Sequence, residues 1–185
     1  MNPTPPIRVL LADDERLVRS GFKVLLDLED DITVVGEATN GAEAVELART
    51  TRPDVVLMDI RMPRVDGIRT TGRIAETSGL EQVRVLILTT YDTEDNVFDA
   101  LEAGASGFLL KDAGPAELLH AIRVIAAGDA LLAPRVTRRL ISRCRTRLRS
   151  SLRTGRPSIT ASACTGPSSR VAAPSGATAA RCSEL

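Results

Sequence analysis

The sequence predicts a doubly wound α/β fold, in which a five-stranded parallel sheet carries helices on both faces. Short apolar runs alternate with segments of helical period over the first 130 residues, and acidic or basic residues follow several runs directly. This alternation is typical of βα units whose strands lie parallel. The five runs predicted as strands are Ile7 to Ala12, Ile32 to Glu37, Val55 to Met58, Val83 to Thr89 and Gly107 to Leu110.

Helices are predicted from apolar residues spaced three and four apart. Asn40-Gly41 and Gly114-Pro115 mark two helix starts, and Pro53 precedes the third strand. The apolar positions are Leu17, Val18, Gly21, Phe22, Leu25 and Leu26, then more weakly Ala44, Val45, Leu47 and Ala48, then Val97, Phe98 and Leu101, and finally Leu118, Ile122 and Ile125.

The formal net charge of zero conceals two unlike parts. Residues 1–133 contain 13 Lys and Arg against 23 Asp and Glu, whereas residues 134–185 contain 11 against 1. An acidic body is therefore joined to a basic tail. The body is expected to repel nucleic acid, and the tail could attract it.

The tail itself is predicted in two parts. Residues 134–150 are expected to form a basic linker helix with Val136, Leu140 and Ile141 on one side. Residues 151–185 are rich in Ser, Thr, Ala, Gly, Pro and Arg, and contain too few large apolar residues to offset the entropy of ordering. We expect this last part to be disordered.

The setting is expected to be the cytoplasm, with no membrane contact. The three cysteines, Cys144, Cys164 and Cys182, match neither a zinc pattern nor a disulfide framework. Residues 1–6 lack a basic and apolar leader pattern, and no apolar run approaches the length of a membrane span.

Three carboxylates are predicted to meet at one edge of the sheet. Asp13 and Asp14 follow the first strand and Asp59 follows the third, so all three come at carboxyl ends of strands. Carboxylates brought this close raise one another's pKa unless a cation lies between them, and hard oxygen ligands suit Mg2+. Solvated loop residues or helix caps are the alternative for any one of them alone.

Two further polar residues are expected at the same edge. Lys111 follows the fifth strand, where an ammonium group would neutralise the carboxylates and could hold a phosphoryl oxygen; the alternative is a lysine that faces solvent. Thr89 ends the fourth strand, although Thr90 is equally polar and a threonine in a strand needs no special explanation.

Four stretches together resemble the receiver domain of bacterial two-component response regulators. They are Leu10 to Asp14, Val55 to Gly67 (VVLMDIRMPRVDG), Ile87 to Asp92 (ILTTYD) and Ala103 to Asp112 (AGASGFLLKD). The resemblance covers residues 5–133. Within that family the sequence is similar to the NarL/FixJ type, whose members are transcription factors. It implies a flavodoxin-like fold of the receiver type.

The resemblance also implies roles for individual residues. Asp59 would be the phospho-acceptor, Asp14 a direct Mg2+ ligand and Asp13 a ligand acting partly through water. The backbone carbonyl of Arg61 would be a third protein ligand, and Lys111 would bind a phosphoryl oxygen. The implied switch residues are Thr89 and Phe108, of which Phe108 reads equally well as a core residue.

The function that the resemblance implies is phosphorelay signalling rather than enzymatic turnover. The phosphodonor would be a phosphohistidine on a sensor histidine kinase, and phosphorylation would favour a homodimer through the last two helices. An Asp-nucleophile phosphohydrolase is less well supported, because Arg61 stands where such an enzyme would want a second acid, and no nucleotide-binding P-loop pattern occurs. A pseudo-receiver that only binds protein is the third possibility.

The C-terminal part departs from the NarL/FixJ pattern. That type continues into a helix-turn-helix DNA-binding domain, but residues 144–185 contain neither of its opening segments. A shifted reading frame or truncated gene is one hypothesis, and a functional basic tail that binds phosphates is the other. We expect no binding to a specific operator.

Overall fold

The chain forms one parallel sheet with helices on both faces. The structure is a computed structural model that describes residues 5–90, 94–132 and 137, with only the backbone described at 94–96. The strands are β1 (Ile7–Ala12), β2 (Ile32–Ala38), β3 (Val55–Asp59), β4 (Arg84–Thr89), β5 (Gly107–Leu110) and β6 (Leu131–Leu132). The helices are α1 (Arg16–Leu26), α2 (Gly41–Thr51), α3 (Gly67–Glu76), α4 (Glu94–Glu102) and α5 (Pro115–Ala126).

The strand order is β2-β1-β3-β4-β5-β6, and each neighbouring pair is parallel. This is the predicted α/β fold, and the five predicted strands all occur with small changes at their ends. Because the order turns back at β1, a crevice lies outside the carboxyl ends of β1 and β3, the usual location of a site in such sheets.

The prediction of five strands is wrong by one, because the structure has a sixth, β6. Gly128 takes a positive φ of 96° after α5, which returns the chain to the sheet. Leu131 then donates its N–H to the Ser106 carbonyl at 3.3 Å and pairs with Gly107, and Leu132 pairs with Phe108. A strand of two residues is too short to produce an alternating pattern in the sequence.

Helix α3 was not among the predicted helices. Its buried positions include Thr70 and Thr71, so no clear apolar stripe marks the segment. The Thr71 hydroxyl donates to the Gly67 carbonyl, and the Thr70 hydroxyl donates to the Asp66 carbonyl, both at 2.8 Å. These bonds within the helix allow threonine to be buried at little cost.

Helices α2, α3 and α4 cover one face of the sheet, and α1 and α5 cover the other. Alternate residues of β1 show this division, since Leu10 packs in the first core and Leu11 in the second. Helix α1 is the less buried of the pair: Leu26 is fully buried, whereas Leu17 is 86% exposed. The two predicted helix starts occur, with the Asn40 side chain accepting from the Glu43 N–H at α2 and Pro115 in the first turn of α5.

A cluster of ion pairs joins α5 to the loop before β2, far from the carboxyl edge of the sheet. The Arg123 guanidinium donates to both carboxylate oxygens of Asp31 and to Glu29, each at 2.7 Å. The hydrogen bond from Arg123 holds the pKa of the Asp31 carboxyl below its ordinary value.

The expectations for the tail lie outside the described residues. These are the basic linker helix over 134–150, of which only Thr137 is described, and the disordered segment over 151–185. Within the described part of the chain, none of the helices combines the length and the apolar character that a bilayer crossing requires.

Candidate functional site

The paired acids lie where β1 ends, beside the crevice. The Asp13 N–H donates to the Ala38 carbonyl at 3.1 Å, which extends the pairing of β1 with β2 by one residue. One carboxylate oxygen of Asp13 accepts from the Glu15 N–H at 2.8 Å, so the side chain also helps to shape the turn into α1. Asp13 is 4% exposed, whereas Asp14 is exposed.

Asp59 is the last residue of β3, and Lys111 follows β5 directly. The Lys111 ammonium lies 2.7 Å from an Asp13 carboxylate oxygen and 3.2 Å from an Asp59 carboxylate oxygen. Its backbone N–H donates to the Thr89 carbonyl at 2.8 Å, which fixes Lys111 relative to β4. The structure therefore brings four of the residues predicted from the sequence to one edge of the sheet, namely Asp13, Asp59, Thr89 and Lys111.

The three carboxylates form a group that suits a divalent ion. Oxygen atoms of Asp13, Asp14 and Asp59 all lie within 4.8 Å of one another. Carboxylates are the hard ligands that Mg2+ prefers, and one exposed member leaves room for the waters that Mg2+ retains. The donor set therefore fits Mg2+ chemically.

Burial and charge alter the titration of the two central groups. Burial raises the pKa of the Asp59 carboxyl above its ordinary value, and the Asp13 charge adds to this, while Lys111 opposes it. Burial alone would lower the pKa of Lys111, but its hydrogen bond to Asp13 and the charges of Asp59 and Asp13 together raise that pKa. The Asp59 carboxylate and the Lys111 ammonium therefore stabilise each other's charged form, and Lys111 stays charged at neutral pH.

We expect Asp59→Asn to make the folded protein more stable at neutral pH without Mg2+, by about 1 kcal/mol. A raised pKa means that the ionised carboxylate is less favourable in the folded than in the unfolded state. The advantage of the variant should therefore shrink as the pH falls through the pKa of Asp59. Urea unfolding measured at several pH values checks both statements.

The matched control is Asp112→Asn, because Asp112 follows Lys111 but is exposed. It should change the free energy of unfolding by less than about 0.5 kcal/mol. Added Mg2+ should stabilise the wild-type protein and leave Asp59→Asn almost unaffected. A loss of stability in Asp59→Asn at neutral pH would contradict the expectation.

The remaining predicted residues lie around this group. Thr89 is 1% exposed at the end of β4, and Thr90 is exposed. Phe108 is fully buried in the core beneath α2, α3 and α4, which agrees with its interpretation as a core residue. Arg61 is exposed in the loop after β3, close in sequence to Asp59.

That loop is tightly folded. The Gly67 N–H donates to the Ile60 carbonyl at 2.9 Å, so the first residue of α3 returns to the end of β3. Arg64 adopts a left-handed conformation with φ of 70° between these points. The Asp66 side chain accepts from the Arg69 N–H at 2.7 Å and caps α3. The loop thus fixes the backbone that follows Asp59.

One residue of this neighbourhood, Arg19, was not among those predicted from the sequence. It lies on α1, and its guanidinium donates to the Asp13 carbonyl at 2.8 Å. The available signal was an arginine about one helical turn after the acidic pair, a spacing that returns a side chain towards the start of its helix.

Comparison with protein families matches residues 9–123, more than half of the chain, to the response regulator receiver domain. The chain belongs to this receiver domain family. The resemblance expected from the four sequence motifs is therefore confirmed, and the α/β sheet described above is the receiver fold.

Relatives of this receiver domain include transcriptional regulators. An uncharacterized transcriptional regulatory protein, YxjL of Bacillus subtilis (strain 168), is 47% identical over 136 residues, covering 74% of this chain and 62% of the relative. The nitrate/nitrite response regulator protein NarL of Escherichia coli (strain K12) is 39% identical over 137 residues, covering 74% and 62%. The chain thus spans less than two-thirds of the length of these curated relatives.

Solved structures agree with this placement. A two-component response regulator of the LuxR family from Aurantimonas sp. SI85-9A1 has a TM-score of 0.69 and 36% identity, covering 75% of this chain and 97% of the other. The receiver domain described here is accordingly of the NarL/LuxR type of response regulators.

Proposed function

We propose that this receiver domain accepts a phosphoryl group on Asp59 from a phosphohistidine of a sensor histidine kinase, in the cytoplasm. The observation that supports this most directly is the position of the Asp59 carboxylate, 3.2 Å from the Lys111 ammonium and beside two further acids. Few structural roles would require three carboxylates and a lysine to converge at the edge of a sheet. The chain is proposed to be a regulatory protein and not an enzyme with a released product.

In this proposal the acids hold Mg2+. Asp14 and Asp59 would bind the ion directly, Asp13 partly through water, and the Arg61 backbone carbonyl would supply a further oxygen. Support comes from the grouping of the three carboxylates, since an exposed Asp14 and a buried Asp59 face one region. Bound Mg2+ would supply positive charge that offsets the charge developing on the transferred group.

The residues of the chain then carry the transfer. An oxygen of the Asp59 carboxylate attacks phosphorus, an O–P bond forms, and the P–N bond to the donor imidazole breaks in line with it. Lys111 neutralises charge on the phosphoryl oxygens, for which its raised pKa keeps it protonated. Phosphoryl transfer depends more on this positioning and neutralisation than on covalent chemistry by the protein.

The response is proposed to be a change at β4 and β5. The Thr89 hydroxyl would follow the phosphoryl group, and Phe108 would change its packing with it. The two strands are joined here, since Lys111 donates to the Thr89 carbonyl. Biasing this edge between two arrangements would favour a homodimer through α4 and α5, and in the longer relatives it would regulate transcription.

Incubation of the full chain with Mg2+ and acetyl phosphate, followed by intact mass measurement, tests the proposal. We expect a single phosphoryl adduct in the wild type and in the control Asp112→Asn, and none in Asp59→Asn or after chelation of Mg2+. An adduct that persists in Asp59→Asn would contradict the assignment of the acceptor. Absence of any adduct in a folded wild type that binds Mg2+ would contradict the function.

A further inference from the structure

We propose that Arg19 is a positioning residue, which sets the direction of the Asp14 carboxylate relative to Asp13 and thereby the strength of Mg2+ binding. This rests on the proposed function in one respect, that the three acids bind Mg2+. In this proposal Arg19 acts through the Asp13 backbone carbonyl and not as a ligand of the ion.

The contacts of Arg19 connect three elements. From α1, one terminal nitrogen donates to the Asp13 carbonyl at 2.8 Å, and Nε donates to the Glu37 carboxylate on β2 at 3.2 Å. The Arg19 side chain is only 12% exposed. It also lines a cavity of about 10 Å³ together with Asp13 and Asp59.

The hydrogen bond from Arg19 to the Asp13 carbonyl also constrains the backbone at Asp14. This carbonyl belongs to the same planar peptide unit as the Asp14 N–H, so fixing the carbonyl fixes the rotation of that plane. The other side of Asp13 is held already, by its N–H to Ala38 and its side chain to Glu15. The bond from Arg19 therefore determines how the chain continues from a held Asp13 to an exposed Asp14.

If Arg19 acted through its charge alone, its removal would change Mg2+ binding in the opposite direction. A guanidinium that lines the same cavity as Asp13 and Asp59 repels a divalent cation bound there, so its removal should strengthen Mg2+ binding if Coulomb interaction were its only influence. If Arg19 positions the acids, its removal weakens binding, because the ligands no longer start in the geometry that Mg2+ demands. The sign of the change distinguishes the two roles.

Mg2+ titration of the full chain, followed by amide chemical shifts of the isotope-labelled protein, measures this sign. We expect Arg19→Ala to weaken Mg2+ binding about tenfold, as is typical when a partner of a metal ligand is lost. Arg19→Lys retains the charge but lacks the forked donors, and should weaken binding by a smaller factor. A Kd for Arg19→Ala that equals or is below the wild-type value would overturn the proposal.

Arg123→Ala is the matched control, since Arg123 also joins two elements through several charged hydrogen bonds but lies away from the acids. Urea unfolding without Mg2+ should show a loss of stability in both alanine variants. Only Arg19→Ala should change the Kd for Mg2+, at a temperature where circular dichroism shows both variants folded. An equal change of Kd in both variants would overturn the positioning role.

The outcome is separable from that of the proposed function. A wild type that binds Mg2+ but takes no phosphoryl group refutes the acceptor role, and the effect of Arg19 on the Kd is still measured. A phosphorylated wild type whose Mg2+ requirement is unchanged in Arg19→Ala and Arg19→Lys refutes the positioning role alone. A wild type that fails to bind Mg2+ refutes both.

Discussion

Replacing Gly67 with alanine is expected to lower the free energy of unfolding by about 3 kcal/mol. A Cβ atom at this position would lie 2.0 Å from the Asp59 backbone carbonyl oxygen and 3.0 Å from the Ile60 Cα. Both neighbours are backbone atoms, so no side chain can rotate away and the start of α3 must move. The same movement would displace the loop that follows Asp59, so we also expect weaker Mg2+ binding.

Urea unfolding measures the loss, and Gly21→Ala is the control. Gly21 lies within α1, where an added Cβ would meet no other atom within 4 Å, and alanine there should stabilise the helix by up to about 1 kcal/mol. The two identical substitutions should therefore differ in sign. A neutral Gly67→Ala would show that the close approach to Asp59 is relieved at little cost.

The second large effect is expected for Lys111→Met, which should destabilise the protein by about 3 kcal/mol at neutral pH. The substitution retains most of the side-chain volume but leaves the buried carboxylates of Asp13 and Asp59 without their shared cation. Phosphorylation by acetyl phosphate should also fall strongly, because charge on the phosphoryl oxygens is no longer neutralised.

The pH dependence of this variant follows from the signs of the pKa shifts. The raised pKa of Lys111 means that its contribution is complete below the ordinary lysine value and is lost only at higher, alkaline pH. The pKa of Asp59 is already raised by burial, and removal of Lys111 raises it further. The variant should therefore regain stability as the pH falls from neutral through the raised pKa of Asp59, where this carboxyl takes up a proton.

Lys23→Met is the control for Lys111→Met, because Lys23 is the other lysine of the chain. Its ammonium pairs with Asp27 at 2.5 Å on the surface of α1, and such exposed pairs contribute little to stability because water and salt screen them. Urea unfolding at neutral pH and at a series of lower pH values compares the two variants. Equal losses in the two, or a loss in Lys111→Met that is independent of pH, would contradict the role of Lys111 as the shared counter-ion.

The sequence was sufficient for most of the sheet and for the acidic group. Strands β1, β3 and β4 are mostly apolar, because helices cover both of their faces, and such runs are easily recognised. Asp13, Asp59 and Lys111 could be placed together because parallel strands bring their carboxyl ends to one edge.

The features that were missed depend on contacts between segments distant in the chain or on bonds that no residue pattern reveals. Strand β6 exists through its pairing with β5, and α3 buries threonines whose hydroxyls are satisfied within the helix. The role of Arg19 depends on the direction of one carbonyl group. In each case the deciding interaction is a hydrogen bond whose partner is set by the folded backbone.

The short strand β6 also fixes the position of the backbone at residue 132. Leu132 pairs with Phe108, three residues before Lys111 on the neighbouring strand. Whatever is joined after residue 132 is consequently attached at the rim of the sheet to the strand that leads to the lysine. A displacement of β5 would thus reach residue 132 through two backbone pairings.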